Sequence, residues 1–202
     1  PNCAIISDEI YDKINFEGNH FSTASLSHNV PVITLNGVSK VYYAPGWRIG
    51  YMAWHDPMNK LSLVRDGAER LLRSRLCAST PAQIGYLAGL QGEKDWMIDY
   101  TNRLLKQRDI CIKRIQSIDG LEVAKPSGSF YMFVRITDDI WRSNDKGLVL
   151  RLLEEEHVLL VHGSGFSREY GQGHFRIVFL PSLEILNDAF DRIEHFLIKH
   201  RK

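Results

Sequence analysis

Residues 36–51 read NGVSKVYYAPGWRIGY. Asn36-Gly37 is a turn signal, and it closes the apolar run Val32-Ile33-Thr34-Leu35. A second apolar run follows from Ile49 to Trp54. The stretch therefore reads as strand, loop, strand. One cation, Lys40, sits in the loop and a second, Arg48, stands at the mouth of the next strand, with no acidic residue between them. Upstream, Ala4-Ile5-Ile6 is a third short run and ends at Asp8. None of the three alternates polar with apolar, which is the pattern of sheet buried on both faces. In a parallel sheet, one edge of strand ends forms the ligand crevice. Asp8 and Lys40 share that edge if the first two strands are parallel. Arg48 joins them if the third strand runs antiparallel to the second.

Beyond this stretch the periodicity becomes helical. Leu61, Val64, Ala68, Leu71 and Leu72 form one stripe of a helix from about Met58 to Leu76. A second helix opens at ASTPAQ, with Ser79 or Thr80 as its cap and Pro81 in its first turn. A long third helix runs from Trp96 to Ile118 and stops at Asp119-Gly120. Leu121–Ala124 and Phe130–Ile136 read as strands, 147–156 as helix, Val158–Val161 and Phe175–Leu180 as strands, and Leu183–Ile198 as an amphipathic closing helix. The order is α/β in the first part and α+β in the second. The expected division is residues 1–92 and residues 93–202.

The chain has 202 residues and a formal net charge of +1, which gives no argument for nucleic acid or a membrane surface. No apolar run approaches the ~18 residues that span a bilayer. Cys3, Cys77 and Cys111 are odd in number and far apart, so they read as reduced core residues of a cytoplasmic protein. The histidines are scattered, so no metal is expected. The chain opens PNCAIISDEIYD, without an initiating methionine, and reads as the C-terminal part of a longer protein.

A lone lysine or arginine in a loop is usually a solvated charge. Together, the polar groups on this edge offer more. An amine held among apolar strands with a cation nearby attacks aldehydes, and a guanidinium fork suits phosphate. A carboxylate can hold a protonated ring nitrogen. These match the three handles of pyridoxal phosphate. The segments SDEIYDKINFEG (7–18), LNGVSKVYYAPGWRIGYMAW (35–54), KPSGSFYMFV (125–134) and GQGHFRIVFLPS (171–182) carry a resemblance to the class I/II aminotransferases, fold-type-I enzymes dependent on that cofactor. It runs from residue 3 to nearly the end. It implies the C-terminal part of the large cofactor-binding domain followed by a small α+β domain.

The resemblance also implies roles. Lys40 forms the Schiff base with the cofactor aldehyde and later moves the proton between the substrate α-carbon and the cofactor C4′. Asp8 pairs with the pyridine nitrogen, and Tyr11 donates to the ring oxygen. Arg48 binds the phosphate, and Arg176 grips the substrate α-carboxylate in a bidentate pair. Many relatives carry a serine three residues before the lysine. Here Gly37 stands there, and Ser39 contributes to the phosphate site in part. The family's first half supplies a helix N-terminus for the phosphate, a stacking aromatic and an asparagine, so the 202 residues alone are expected to be inactive.

The implied assembly is a homodimer acting on amino and 2-keto acids, aspartate- or alanine-type. The same residues serve a carbon–sulfur lyase, and the fold also occurs as the effector domain of transcriptional regulators. Weaker candidates have plainer readings: Arg75 on a solvated helix face, Ser79 and Thr80 as caps, and Tyr42, Tyr43 and Trp47 as packing around the loop. Gly128, Phe130 and Tyr131 read equally as strand core or domain-interface lining, and His162 and His174 have no evident partner in the sequence.

Overall fold

The computed structural model describes residues 3–201. The chain divides into two compact units, one through Ile98 and one from Asp99 onward.

The first unit is built on three strands, β1 (Ile5–Asp8), β2 (Val32–Gly37) and β3 (Gly50–His55), in the order β1-β2-β3. β1 and β2 are parallel, with Asp8 opposite Leu35. β2 and β3 are antiparallel, with Gly37 opposite Gly50. Both conditions for a shared edge are therefore met. Burial on both faces holds only for β2, whose Val32, Ile33 and Thr34 are all buried. β1 and β3 are flanking strands with exposed residues such as Ile6 and Met52, because a three-stranded sheet has a single interior strand.

Two helices follow, α1 (Ser62–Ser74) and α2 (Thr80–Gln91). The apolar stripe of α1 gives a helix, but none of its residues is buried. Arg65 and Arg70 pair with Glu69 and Asp66 one turn away, at 3.2 and 2.8 Å. At α2, Ser79 occupies the N-cap position without a side-chain cap bond, and Pro81 supplies the first turn. The expected capping hydroxyl is thus not used. Gly85 and Gly89 of α2 let aromatic rings approach its backbone. A Cβ on Gly85 would lie 2.6 Å from the Trp47 ring, and one on Gly89 3.0 Å from that of Tyr42.

The division between the units falls in the first turn of α3 (Asp95–Ser117). The second unit then adds β4 (Leu121–Val123), β5 (Tyr131–Ile136), α4 (Asp145–Glu156), β6 (Val161–His162), β7 (His174–Val178) and α5 (Leu183–Lys199). Its sheet is antiparallel in the order β4-β5-β7-β6. Gly120, at φ +88°, turns the chain out of α3 as its sequence position predicts. β5 and β7 alternate. Met132, Val134, Phe175 and Ile177 are buried, while Tyr131, Phe133, Arg176 and Val178 point to the other face. The buried residues of α3, α4 and α5 complete this core, among them Leu104, Leu152 and Phe196 with no exposed surface. Arg114 ties α3 to α5 through Asp191 at 2.6 Å.

β6 is shorter than the expected strand from Val158. Val158 and Leu160 are buried but lie before the first ladder pair, Val161 with Arg176. Only Cys111 is a core cysteine; Cys3 and Cys77 are exposed, which corrects the reading of all three as core. Burial pushes the Cys111 thiol up to about 12, so it stays protonated and inert. Among the described residues, no helix is long and apolar enough to cross a membrane, and no group of three or more His, Cys, Asp or Glu side chains is placed to hold a metal ion.

Candidate functional site

The edge formed by the ends of β1 and β2 and the start of β3 carries most of the polar residues singled out above. Asp8 ends β1 and is exposed there. Its Oδ1 accepts the Ile10 amide at 3.3 Å, a local turn that starts the loop. Tyr11 is half-buried in the turn that follows, where Asp12 N–H donates to Glu9 O at 3.0 Å and Ile14 N–H to Tyr11 O at 2.9 Å.

Glu9, next to Asp8, was not singled out from the sequence. Side chains alternate along a strand, so Glu9 points away from the exposed Asp8 and into the protein. It is only 8% exposed. Its Oε1 accepts from Thr23 N at 2.9 Å, Ser22 Oγ at 3.0 Å and Ser7 Oγ at 3.0 Å, and Oε2 lies 3.2 Å from His20 Nε2. Burial alone would raise its pKa. The Thr23 amide, His20, Ser22 and Ser7 outweigh that and hold the carboxylate below its ordinary range. Glu9 N–H also donates to Leu35 O at 2.9 Å, so the anchored residue continues the β1–β2 ladder.

Lys40 follows β2 by three residues and is half-buried, between the buried Val38 and Val41 in the chain. The loop folds back on itself: Tyr42 N–H and Ala44 N–H both donate to Val38 O, at 3.3 and 3.4 Å. Ser39 is half-buried beside Lys40. Arg48 ends the short 3₁₀ turn Pro45–Trp47 in a left-handed conformation, φ 51°, ψ 44°. Its Nη1 donates to Pro45 O at 2.7 Å, and the side chain is otherwise exposed. A non-glycine residue in that backbone region is uncommon and marks a loop held by its surroundings.

Those surroundings are aromatic. Tyr42 meets the Tyr86 ring edge-on at 5.7 Å and lies 5.8 Å from Trp96, and its hydroxyl donates to Gly89 O at 3.3 Å. Tyr51 stacks on Tyr86 at 6.3 Å. Burial, then Tyr51, Tyr42 and Asp12, push the Tyr86 hydroxyl up to about 12, so it stays neutral. Tyr42 and Trp47 thus pack the loop against α2, while Tyr43 is exposed.

Arg176 belongs to the second unit, on the face of the β4-β5-β7-β6 sheet opposite its core. Its ladder partners are Phe133 and Val161. The guanidinium carbon lies over two rings, 4.4 Å from the centroid of Tyr131 and 4.7 Å from that of Phe166. Its Nε is buried with no hydrogen-bond partner among the described residues. His174 stacks on Phe133 at 4.9 Å, and His162 Nδ1 lies 2.9 Å from Ser164 Oγ, so both histidines have partners. Phe166 was missed in the sequence; it follows a Gly-Ser-Gly turn and has no periodic signal.

The structure therefore brings Asp8, Tyr11, Ser39, Lys40 and Arg48 together in one unit and carries Arg176 in the other. The first set offers a carboxylate, a phenol, an amine and a guanidinium along one strand edge. The last offers a cation on an aromatic bed.

The chain matches the family model described as aminotransferase class I and II over residues 1–193. It is 38% identical over 208 residues to the glutamate-pyruvate aminotransferase AlaA of Haemophilus influenzae, covering 100% of this chain and 50% of that one. It is 36% identical over 203 residues to the alanine aminotransferase of Mycobacterium tuberculosis, covering 98% and 47%. Among solved structures, an alanine aminotransferase from Pyrococcus furiosus superposes with a TM-score of 0.93 at 52% identity, over 98% of this chain and 50% of that chain. An aminotransferase from Escherichia coli superposes with a TM-score of 0.93 at 34% identity, over 100% and 50%. The chain spans about half the length of the curated relatives it matches.

Proposed function

The chain belongs to the class I and II aminotransferases, a family of pyridoxal-phosphate-dependent enzymes, and on that premise we propose that the whole protein exchanges an amino group between an amino acid and a 2-keto acid. Within that class we propose the alanine–glutamate pair. The names of the relatives AlaA and alanine aminotransferase support this choice.

The observation that carries the reading is the strand register. β1 runs parallel to β2 and β3 antiparallel to it, so a carboxylate, an amine and a guanidinium stand along one edge. That donor set fits the cofactor, whose ring nitrogen, aldehyde and phosphate need those three partners. When bound, pyridoxal phosphate supplies an electron sink for the carbanion left when the substrate α-carbon loses its proton. Asp8 holds a proton on the ring nitrogen by pairing with it. The Tyr11 hydroxyl donates to the ring oxygen. The Arg48 fork and the Ser39 hydroxyl bind the phosphate. Lys40 would hold the cofactor through its aldehyde, and its amine would be the base that moves the substrate α-proton. Arg176 binds the substrate carboxylate. The reading extends to a homodimer in the cytoplasm, acting on small amino and keto acids without a nucleic-acid or membrane partner. It also divides the chain, near residue 92, into part of the large cofactor domain and a small C-terminal domain.

The test is to supply the full-length protein with L-alanine and 2-oxoglutarate and follow pyruvate and glutamate. The reading predicts equal amounts of both, and a loss of about 10²- to 10⁴-fold in Lys40→Ala. Release of pyruvate, ammonia and sulfide from L-cysteine, with no exchange between L-alanine and 2-oxoglutarate, would make the protein a carbon–sulfur lyase instead.

A further inference from the structure

An arginine on the open face of a sheet ordinarily samples many rotamers, and each hydrogen bond it makes must first restrict them. Arg176 is built differently. Its guanidinium lies over the Tyr131 ring at 4.4 Å and over the Phe166 ring at 4.7 Å, both within cation–π range. Tyr131 stands two residues from Phe133, the ladder partner of Arg176, and so approaches diagonally on the same sheet face. Phe166 arrives from the tight turn Gly163–Gly165. Its amide donates to Gly163 O at 2.8 Å, and Ser164 N–H donates to Asp145 Oδ2 at 2.7 Å, so the turn is pinned to the start of α4. Phe133 meets Phe166 edge-on at 5.9 Å and supports the ring from its side.

We infer that Tyr131 and Phe166 are positioning residues that fix the plane of the Arg176 guanidinium, so that its two terminal nitrogens meet a ligand carboxylate in one preset orientation. The inference rests on the reading of Arg176 as the carboxylate anchor. Three features carry it. Aromatic faces hold a guanidinium without neutralising it, so its charge remains available to the ligand. Nε is buried without a partner, which leaves recognition to the Nη groups. Bidentate pairing with a carboxylate is the interaction most sensitive to the plane of the fork.

The experiment compares four variants of the full-length, cofactor-loaded protein: Phe166→Leu, Tyr131→Leu, Phe166→Tyr and Arg176→Ala. KM and kcat are measured with L-alanine and 2-oxoglutarate, and 2-oxoglutarate binding is followed by calorimetry. Phe166 is 52% exposed, so the fold does not depend on its ring and Phe166→Leu is the decisive variant. Loss of one ring is expected to raise KM and Kd by about 10-fold with kcat changed by less than about 2-fold. Phe166→Tyr, which keeps the face, is expected to match the parent. If Arg176→Ala raises KM while Phe166→Leu leaves KM and Kd unchanged, the positioning role is overturned and the anchor stands. If Arg176→Ala itself leaves both unchanged, the anchor reading fails first and takes the inference with it.

Discussion

Gly37 and Gly50 face one another across β2 and β3 with no space for a side chain: a Cβ on Gly37 would lie 2.7 Å from Ile49 O, and one on Gly50 2.6 Å from Asn36 O. The loop that carries Lys40 and Arg48 springs from this pair. This gives a physical reason for glycine at 37.

Gly37→Ala or Gly37→Ser therefore forces the two strands apart at the root of the loop. The expected cost is about 1–3 kcal/mol, the range for overpacking a closed site. It is read as a lower urea midpoint of the full-length protein. An unchanged midpoint would mean that the strands have room the structure denies them.

Glu9 gives a pH dependence of definite sign. Its pKa in the folded protein lies below the ordinary value of 4.5, so its stabilising contribution is complete above that pH. The contribution is lost as the pH falls through the lowered folded value. Glu9→Gln is expected to destabilise at pH 7 by about 1.5–3 kcal/mol, the range for hydrogen bonds to a charged group. The variant and parent should converge at strongly acidic pH. Urea midpoints across the acid range check this; a constant difference between the two proteins at every pH would refute it.

Leu152 and Leu150 lie two residues apart on α4 but differ in surroundings: Leu152 is fully buried and Leu150 is 48% exposed. Leu152→Ala is expected to cost about 2–5 kcal/mol. Leu150→Ala should stay within about 0.5 kcal/mol. Thermal unfolding of both variants measures the contrast, and equal shifts would contradict the assigned core face.

Much of this arrangement is legible in the sequence because local chemistry decides it. Val32–Leu35 followed by Asn36-Gly37 marks β2 and its end, and Asp119-Gly120 marks the stop of α3. Strand direction then sets the edge shared by Asp8, Lys40 and Arg48. Other features depend on distant partners and leave no local trace. Glu9 is bound by His20, Ser22 and Thr23, which lie on a separate loop. Phe166 reaches Arg176 only because β6 and β7 pair across a Gly-rich turn. Ser79 sits at a helix start, yet the N–H groups there do not reach its hydroxyl. Cys3 and Cys77 are small and apolar enough for a core, but sequence type does not say which cysteine is covered. The stripe on α1 predicts a helix correctly without predicting burial.

Lys40 is proposed as the amine that bonds the cofactor aldehyde. Full-length protein incubated with pyridoxal phosphate, reduced with borohydride and digested, tests it by mass spectrometry. The expected result is a pyridoxyl label on the peptide containing Lys40, and loss of that label in Lys40→Ala. A label on a different lysine, or none while amino-group exchange continues, would contradict it.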